Sequence, residues 1–98
     1  MKRETAIAKL KANEDAIRAL GATSLYLYGS TARDEAKPKS DVDVFVEYDP
    51  EGKFSLFDLA GIQVLLQDKL AREVHVTTKN SLHPLMRRGI EHDAIRVF

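Results

Sequence analysis

Residues 28–50 read YGSTARDEAKPKSDVDVFVEYDP, and the order of residue types within them sets the fold. DVDVFVEY, residues 41–48, alternates with a period of two. This is strand periodicity: Val42, Val44 and Val46 share one face, and Asp41, Asp43, Phe45 and Glu47 share the other. Asp49-Pro50-Glu51-Gly52 then closes the segment as a turn. Upstream, SLYLY at 24–28 is a run of large strand formers. Between the two strands, Gly29-Ser30 opens a polar stretch. Its first half suits a short helix, which Pro38 is expected to stop.

The flanking sequence completes an α/β pattern. Residues 3–20 predict one helix, with Ala6, Ile7, Leu10, Ala16, Ile17 and Leu20 on its apolar face and Gly21 at the C-terminal cap. Ser55 predicts the N-cap of a helix running to about residue 70, with Asp58 completing a capping box and Phe54 stapling onto Leu59. EVHVT, residues 73–77, alternates again and predicts a third strand. A last helix is expected from Ser81, carrying Leu82, Leu85, Met86 and Ile90, with Pro84 tolerated in its first turn. The tail DAIRVF is expected to add a short strand. The whole reads as one domain, 1–98, with helices packed on a small mixed sheet. The helix between the second and third strands is long enough for a crossover, which allows those two strands to be parallel.

Two pairs of residues carry the chemistry. A glycine at the start of a helix lets an anion approach the backbone N–H groups, and a serine hydroxyl adds a donor. Gly29-Ser30 therefore suits a phosphate, although taken alone such a pair after a strand is more often an ordinary turn and N-cap. Asp41 and Asp43, two apart on a strand, project from one face. Two carboxylates with water and phosphate oxygens suit Mg²⁺. Taken alone, they also suit a capped loop end and a solvated strand face.

The joint pattern is more specific. GS, ten intervening residues and DVD resemble the nucleotidyltransferase superfamily related to DNA polymerase beta. Within it, residues 28–50, FSLFDLAGIQVLLQDKL and NSLHPLMRRGIEHDAIRVF resemble the minimal nucleotidyltransferase antitoxins, across residues 20–98. The resemblance implies transfer of AMP from ATP to a hydroxyl, a tyrosine of a HEPN-type partner toxin. In that reading Gly29 and Ser30 hold the β- and γ-phosphates, and Asp41 and Asp43 bind Mg²⁺, with Mn²⁺ as the other candidate. Arg33, matching an arginine common in these antitoxins, reaches the phosphates or stands as a solvated helix charge.

The chain departs from the family pattern at two positions. The strand after the long helix usually bears a third acid, and here the matching residue is His75, on the same kind of face as Asp41 and Asp43. Imidazole is a poor Mg²⁺ ligand, but suits Mn²⁺ or Zn²⁺ better and can serve as a general base. Two readings follow: an active transferase with catalytic Asp41, Asp43 and His75, or a weakened site in an antitoxin that neutralises its toxin by complex formation. The second departure is Asp34, where relatives often carry glycine; it brings a negative charge near the phosphate loop or points to solvent. Glu73 and Glu47 lie one pair of strand positions from the site, about 6.6 Å, and are not assigned to it. His83 and His92 read as surface or capping residues, and Lys37 and Lys39 as solvated loop charges.

Composition narrows the function classes. The chain has 98 residues, 15 Lys+Arg against 15 Asp+Glu, and no cysteine. The absence of cysteine excludes a disulfide scaffold, a thiolate nucleophile and a cysteine zinc site. Zero net charge, with Lys2-Arg3 and Arg87-Arg88 the only adjacent basic pairs, argues against direct nucleic-acid binding. It also leaves a homo-oligomer open, because near-neutral surfaces resist association poorly. No apolar signal core or membrane-length run is present, so the cytoplasm is the expected compartment.

Overall fold

The computed structural model describes residues 1–98. The elements are helix α1 (Arg3–Ala12), α2 (Glu14–Ala19), strand β1 (Ala22–Tyr28), α3 (Gly29–Ala32), β2 (Val42–Tyr48), α4 (Leu56–Leu70), β3 (Val74–Thr78), a 3-10 turn (Lys79–Ser81), α5 (Pro84–Asp93) and β4 (Ile95–Arg96). The sheet order is β3-β2-β1-β4. β1 runs antiparallel to β2 and β4, and β2 runs parallel to β3 through the α4 crossover. The expected mixed sheet is therefore present.

The alternation in 41–48 divides the molecule into two faces. Val42, Val44 and Val46 are buried with Leu25, Leu27, Val74 and Val76 beneath Leu10, Ile17, Ile62, Leu66 and Leu70. The opposite face carries Asp43, Phe45 and Glu47 beside Tyr28, Tyr26 and Ser24. Phe45 is the one large apolar residue there, and it is buried because Tyr26 stacks on it at 4.8 Å with Tyr28 tilted alongside at 5.7 Å. Thus one face holds the helix layer and the other is left to polar chemistry. No helix is long and apolar enough to cross a membrane.

The caps expected around the long helix form. Ser55 Oγ accepts from the Asp58 N–H, and the Asp58 carboxylate accepts from the Ser55 N–H. Phe54 and Leu59 both pack against the core, and Phe54 stacks on Tyr48 at 4.8 Å. Gly21 has φ +110, and a Cβ there would sit 2.9 Å from the Phe54 ring, so both backbone and packing require glycine.

Four expectations need correction. The helix over 3–20 is broken at Asn13, whose side-chain amide donates to the Lys9 carbonyl, and Ala16 is exposed rather than buried. Asn is a residue that favours such local side-chain-to-backbone bonds over helix continuation. Pro38 does not end α3; the helix stops at Ala32, and Asp34 takes φ +59. The last helix starts at Pro84 rather than Ser81, because Lys79–Ser81 form a 3-10 turn and His83 is the N-cap, accepting the Leu85 N–H at Nδ1. Of its expected apolar residues only Leu82, which precedes it, is buried.

Candidate functional site

β1 delivers its last residue, Tyr28, directly opposite Asp43 on β2, and β2 sets Asp43 in register with His75 on β3. The sheet therefore brings together what the sequence holds 32 residues apart. Gly29 follows at φ +75 and turns the chain from β1 into α3. A Cβ on Gly29 would lie 2.7 Å from Asp43 Oδ2, so glycine is needed for the loop to sit against this carboxylate. Ser30 is next in the first turn of α3, where backbone N–H groups lack helical partners.

Asp41 lies one residue before β2, half exposed, and its Oδ2 accepts from His75 Nε2 at 3.0 Å. The hydrogen bond to Asp41 is the main cause raising the His75 pKa above its ordinary 6.5; burial opposes it, and the charges of Asp41, Asp43 and Glu73 add to it. For Asp43, burial is the main cause holding the carboxyl above its ordinary range, with His75 lowering it and Asp41 raising it. The Tyr28 phenol is likewise pushed up, first by burial and then by Asp43. Burial, the largest of these causes, disfavours the charged carboxylate, and a divalent cation bound beside it would favour that form.

The fit to such a cation follows from the donor set. No group of three or more His, Cys, Asp or Glu side chains converges as a ready-made cage. Mg²⁺ at a nucleotide site commonly takes one or two carboxylates and completes its shell with phosphate oxygens and water. Asp41 and Asp43 would supply those carboxylates, and the open space lined by Gly29, Ser30 and Asp43 would take the phosphate. The residues fit a cation brought with its nucleotide.

A cleft of about 590 Å³ opens in front of this point. Tyr28, Gly29, Ser30, Arg33 and Asp43 line one side, and Leu85, Met86, Gly89, Ile90 and Asp93 of α5 line the other. Arg33 stands at its edge, donating from Nε to Glu35 Oε2 at 3.1 Å, with its Nη1 3.8 Å from Asp93 Oδ2. Arg33 thus lies beside Gly29 and Ser30, but is shared between two acids. A larger cleft, about 720 Å³, lies around Met1, Lys2, Glu4, Asp34, Ala36, Pro38 and Arg72, away from the paired acids.

Asp34 does not serve the phosphate loop. Its Oδ1 accepts the Arg3 N–H at 3.1 Å, so it caps the start of α1. Its φ of +59 is a left-handed conformation that glycine adopts at least cost. Glu47 is held elsewhere by Ser24 Oγ at 2.7 Å and Lys79 Nζ at 3.4 Å, and the Ser24 hydrogen bond is the main cause lowering its pKa. His92 is exposed on α5.

Sequence reasoning missed three contributors. Arg72 donates from Nη1 to the carbonyls of Pro38 and Ser40 and so holds the loop that leads into Asp41; a lone arginine between helix and strand gives no signal of this. Tyr28 was legible as a strand residue, but its place against Asp43 depends on register. The α5 wall was legible as an amphipathic pattern, which pointed to the core instead of a cleft.

Residues 10–97 match the family described as nucleotidyltransferase domain. A candidate protein adenylyltransferase of Methanocaldococcus jannaschii is 45% identical over 71 residues, covering 72% of this chain and 74% of that one. A solved structure described as a minimal nucleotidyltransferase is 29% identical and superposes with a TM-score of 0.83, covering 97% of this chain and 95% of that one. A more distant fold neighbour is from the complex of an AMPylated Shewanella oneidensis HEPN toxin with its MNT antitoxin. It shows a TM-score of 0.59 and 16% identity, with 89% of this chain and 70% of that one covered.

Proposed function

The chain belongs to the nucleotidyltransferase domain family, and on that premise we propose that it is an antitoxin that transfers AMP from ATP to a tyrosine hydroxyl of a HEPN-type partner toxin in the cytoplasm. The observation that carries the reading is the meeting of Gly29, Asp43 and His75 at one end of the sheet, with Asp41 hydrogen-bonded to His75. Gly29 and Ser30 would hold the β- and γ-phosphates, and Arg33 would reach them by exchanging its contacts with Glu35 and Asp93. Asp41 and Asp43 would hold Mg²⁺, or Mn²⁺. When bound, that ion supplies charge neutralisation for an in-line displacement at the α-phosphorus.

The acceptor oxygen bonds to the α-phosphorus, the bond to the β-phosphate bridging oxygen breaks, and pyrophosphate leaves. The hydroxyl proton must go to a base. His75 is within the site; with its Nε2–H donated to Asp41, it can take a proton at Nδ1 once neutral. The description of the M. jannaschii relative as a protein adenylyltransferase supports a protein acceptor. The AMPylated HEPN toxin in the neighbouring complex supports the partner class.

A second reading rests on the same 3.0 Å contact. A protonated His75 neutralises Asp41 and opposes a cation there, so the chain would neutralise its toxin by binding alone. Mass spectrometry of the co-purified partner, incubated with ATP and Mg²⁺, separates the two. Transfer is expected to add the mass of one AMP and to disappear in Asp43→Asn, whereas the binding-only reading expects His75→Asp to create transfer that the wild type lacks. A stable complex with no mass gain in the wild type favours the second reading. A mass gain retained in Asp43→Asn contradicts the metal assignment.

A further inference from the structure

The segment that carries Asp41 has little packing to hold it. From Arg33 to Asp41 no side chain is buried, and only Ala36 and Ser40 are partly so. A turn closes over residues 37–40, where the Ser40 N–H donates to the Lys37 carbonyl and the Lys37 N–H donates to Ser40 Oγ. Those bonds shape the turn without fixing it to the fold. Its ties to the rest of the molecule come from the residues around the start of β3. Arg72 donates from Nη1 to the Pro38 carbonyl, and the Ser40 carbonyl lies 3.5 Å from the same nitrogen. The Glu73 carbonyl accepts the Val42 N–H at 3.0 Å, and His75 Nε2 meets Asp41 Oδ2 at 3.0 Å. Asp41 thus stands between a turn held by Arg72 and a strand start held by Glu73.

Arg72 is placed for this task. Ala71, left-handed at φ +52, turns the chain out of α4, and the Arg72 N–H still bonds the Gln67 carbonyl at 3.4 Å. The guanidinium therefore starts from an anchored backbone. A basic residue just past a helix C-terminus ordinarily lies in solvent beside the helix dipole. Here Nε is buried without a hydrogen-bond partner, a state that opposes folding and that a solvated arginine avoids. Hydrogen bonds from an ionised donor are the stronger kind, and those from the far end of the side chain offset that burial. A planar fork of fixed geometry suits two neighbouring carbonyls better than an ammonium on a flexible stem does.

We propose that Arg72 is the positioning residue for Asp41: by holding the 37–40 turn it sets that carboxylate beside Asp43 and so sets the affinity for the divalent cation, a role that rests on the cation binding proposed for Asp41. A cation there competes with the His75 contact, which leaves Arg72 as the side-chain tie on the turn. Titration of a non-hydrolysable ATP analogue over a series of Mg²⁺ concentrations reads the effect. Arg72→Met should raise the Mg²⁺ concentration for half-maximal gain in nucleotide affinity by about tenfold, as loss of a group that orients a metal ligand does. Affinity without Mg²⁺ should stay the same. Arg72→Lys, which keeps a donor, should recover part of the loss. Asp41→Asn should raise the Mg²⁺ requirement by itself, and Arg72→Met added to it should change nothing further, because two residues that act through one carboxylate are not additive. In the cation-free protein, amide nitrogen relaxation should show residues 37–41 more mobile in Arg72→Met, with α4 and β1 as rigid as before. An unchanged Mg²⁺ requirement in Arg72→Met overturns the proposal. So does an equal loss of affinity with and without Mg²⁺, or a full further loss on top of Asp41→Asn. Should Arg72→Met lose its circular dichroism spectrum, Arg72→Lys carries the same comparisons with a smaller shift. An Asp41→Asn chain with the wild-type Mg²⁺ requirement refutes the cation role of Asp41 itself, and the proposal falls with it.

Discussion

Asp43 is poised against its own stability. Its pKa is raised in the folded chain, chiefly by burial, so the folded protein holds that proton more tightly than the unfolded chain does. Ionisation as pH rises past both values therefore costs folding free energy. Asp43→Asn is expected to stabilise the cation-free protein at pH 7 by on the order of 0.5–1 kcal/mol, as relief of a strained functional group commonly does; an equal or lower urea midpoint contradicts this. His75 has the opposite sign. With its pKa raised above 6.5 by Asp41, its pairing stabilises the fold in full below pH 6.5 and loses that contribution as pH rises through the folded value. Both side chains are half exposed, so the stability effect is small, but the proton competes with a cation at Asp41. Divalent affinity should thus rise with pH across that window in the wild type and respond less in His75→Gln; parallel profiles would rule out the coupling. At this scale Gly29, Ser30, Asp41, Asp43 and His75 were legible because strand alternation and spacing place them. Arg72 and Tyr28 were not, because their roles come from loop path and register.

Elements differ in how firmly their own residues define them. α4 was readable to the residue because a capping box starts it and a single buried stripe runs through it. Its C-cap carries a cost: Ala71 adopts φ +52, a left-handed conformation that favours glycine. Ala71→Gly is expected to raise stability by about 0.5–1 kcal/mol in a denaturant titration, and a loss would show that the Ala71 methyl packs usefully. α1 and α2 were read as one helix because apolar spacing continues through Asn13, whereas the break is made by a side-chain hydrogen bond that periodicity does not reveal. α5 is the least anchored helix. It buries no residue, and Leu85 is 88% and Met86 61% exposed. Few buried contacts mean low local opening free energy. In hydrogen exchange its amides should exchange faster than those of α4, and slow roughly tenfold or more on saturation with nucleotide and Mg²⁺, because it walls the cleft. Protection of α5 equal to α4 without ligand would contradict this.

The molecule as a whole is a sheet with one face given to helices and one to chemistry, and that division was written in the alternation of residues 41–48. The parallel β2–β3 pair followed from a crossover long enough to make it, and it is this pair that carries His75 to Asp43. What sequence pattern did not supply is where an amphipathic helix docks: the apolar residues of α5 face the cleft and solvent. Periodicity reports that a face is apolar and leaves its partner open. Isothermal titration of a non-hydrolysable ATP analogue into the wild type and Asp43→Asn, each with and without Mg²⁺, tests the nucleotide site as one unit. One analogue per chain is expected to bind the wild type with Mg²⁺ and to lose at least about tenfold in affinity, 1.4 kcal/mol, when either Mg²⁺ or the Asp43 carboxylate is removed. Equal affinity in all four titrations would contradict a cation-dependent site at Gly29, Asp41 and Asp43.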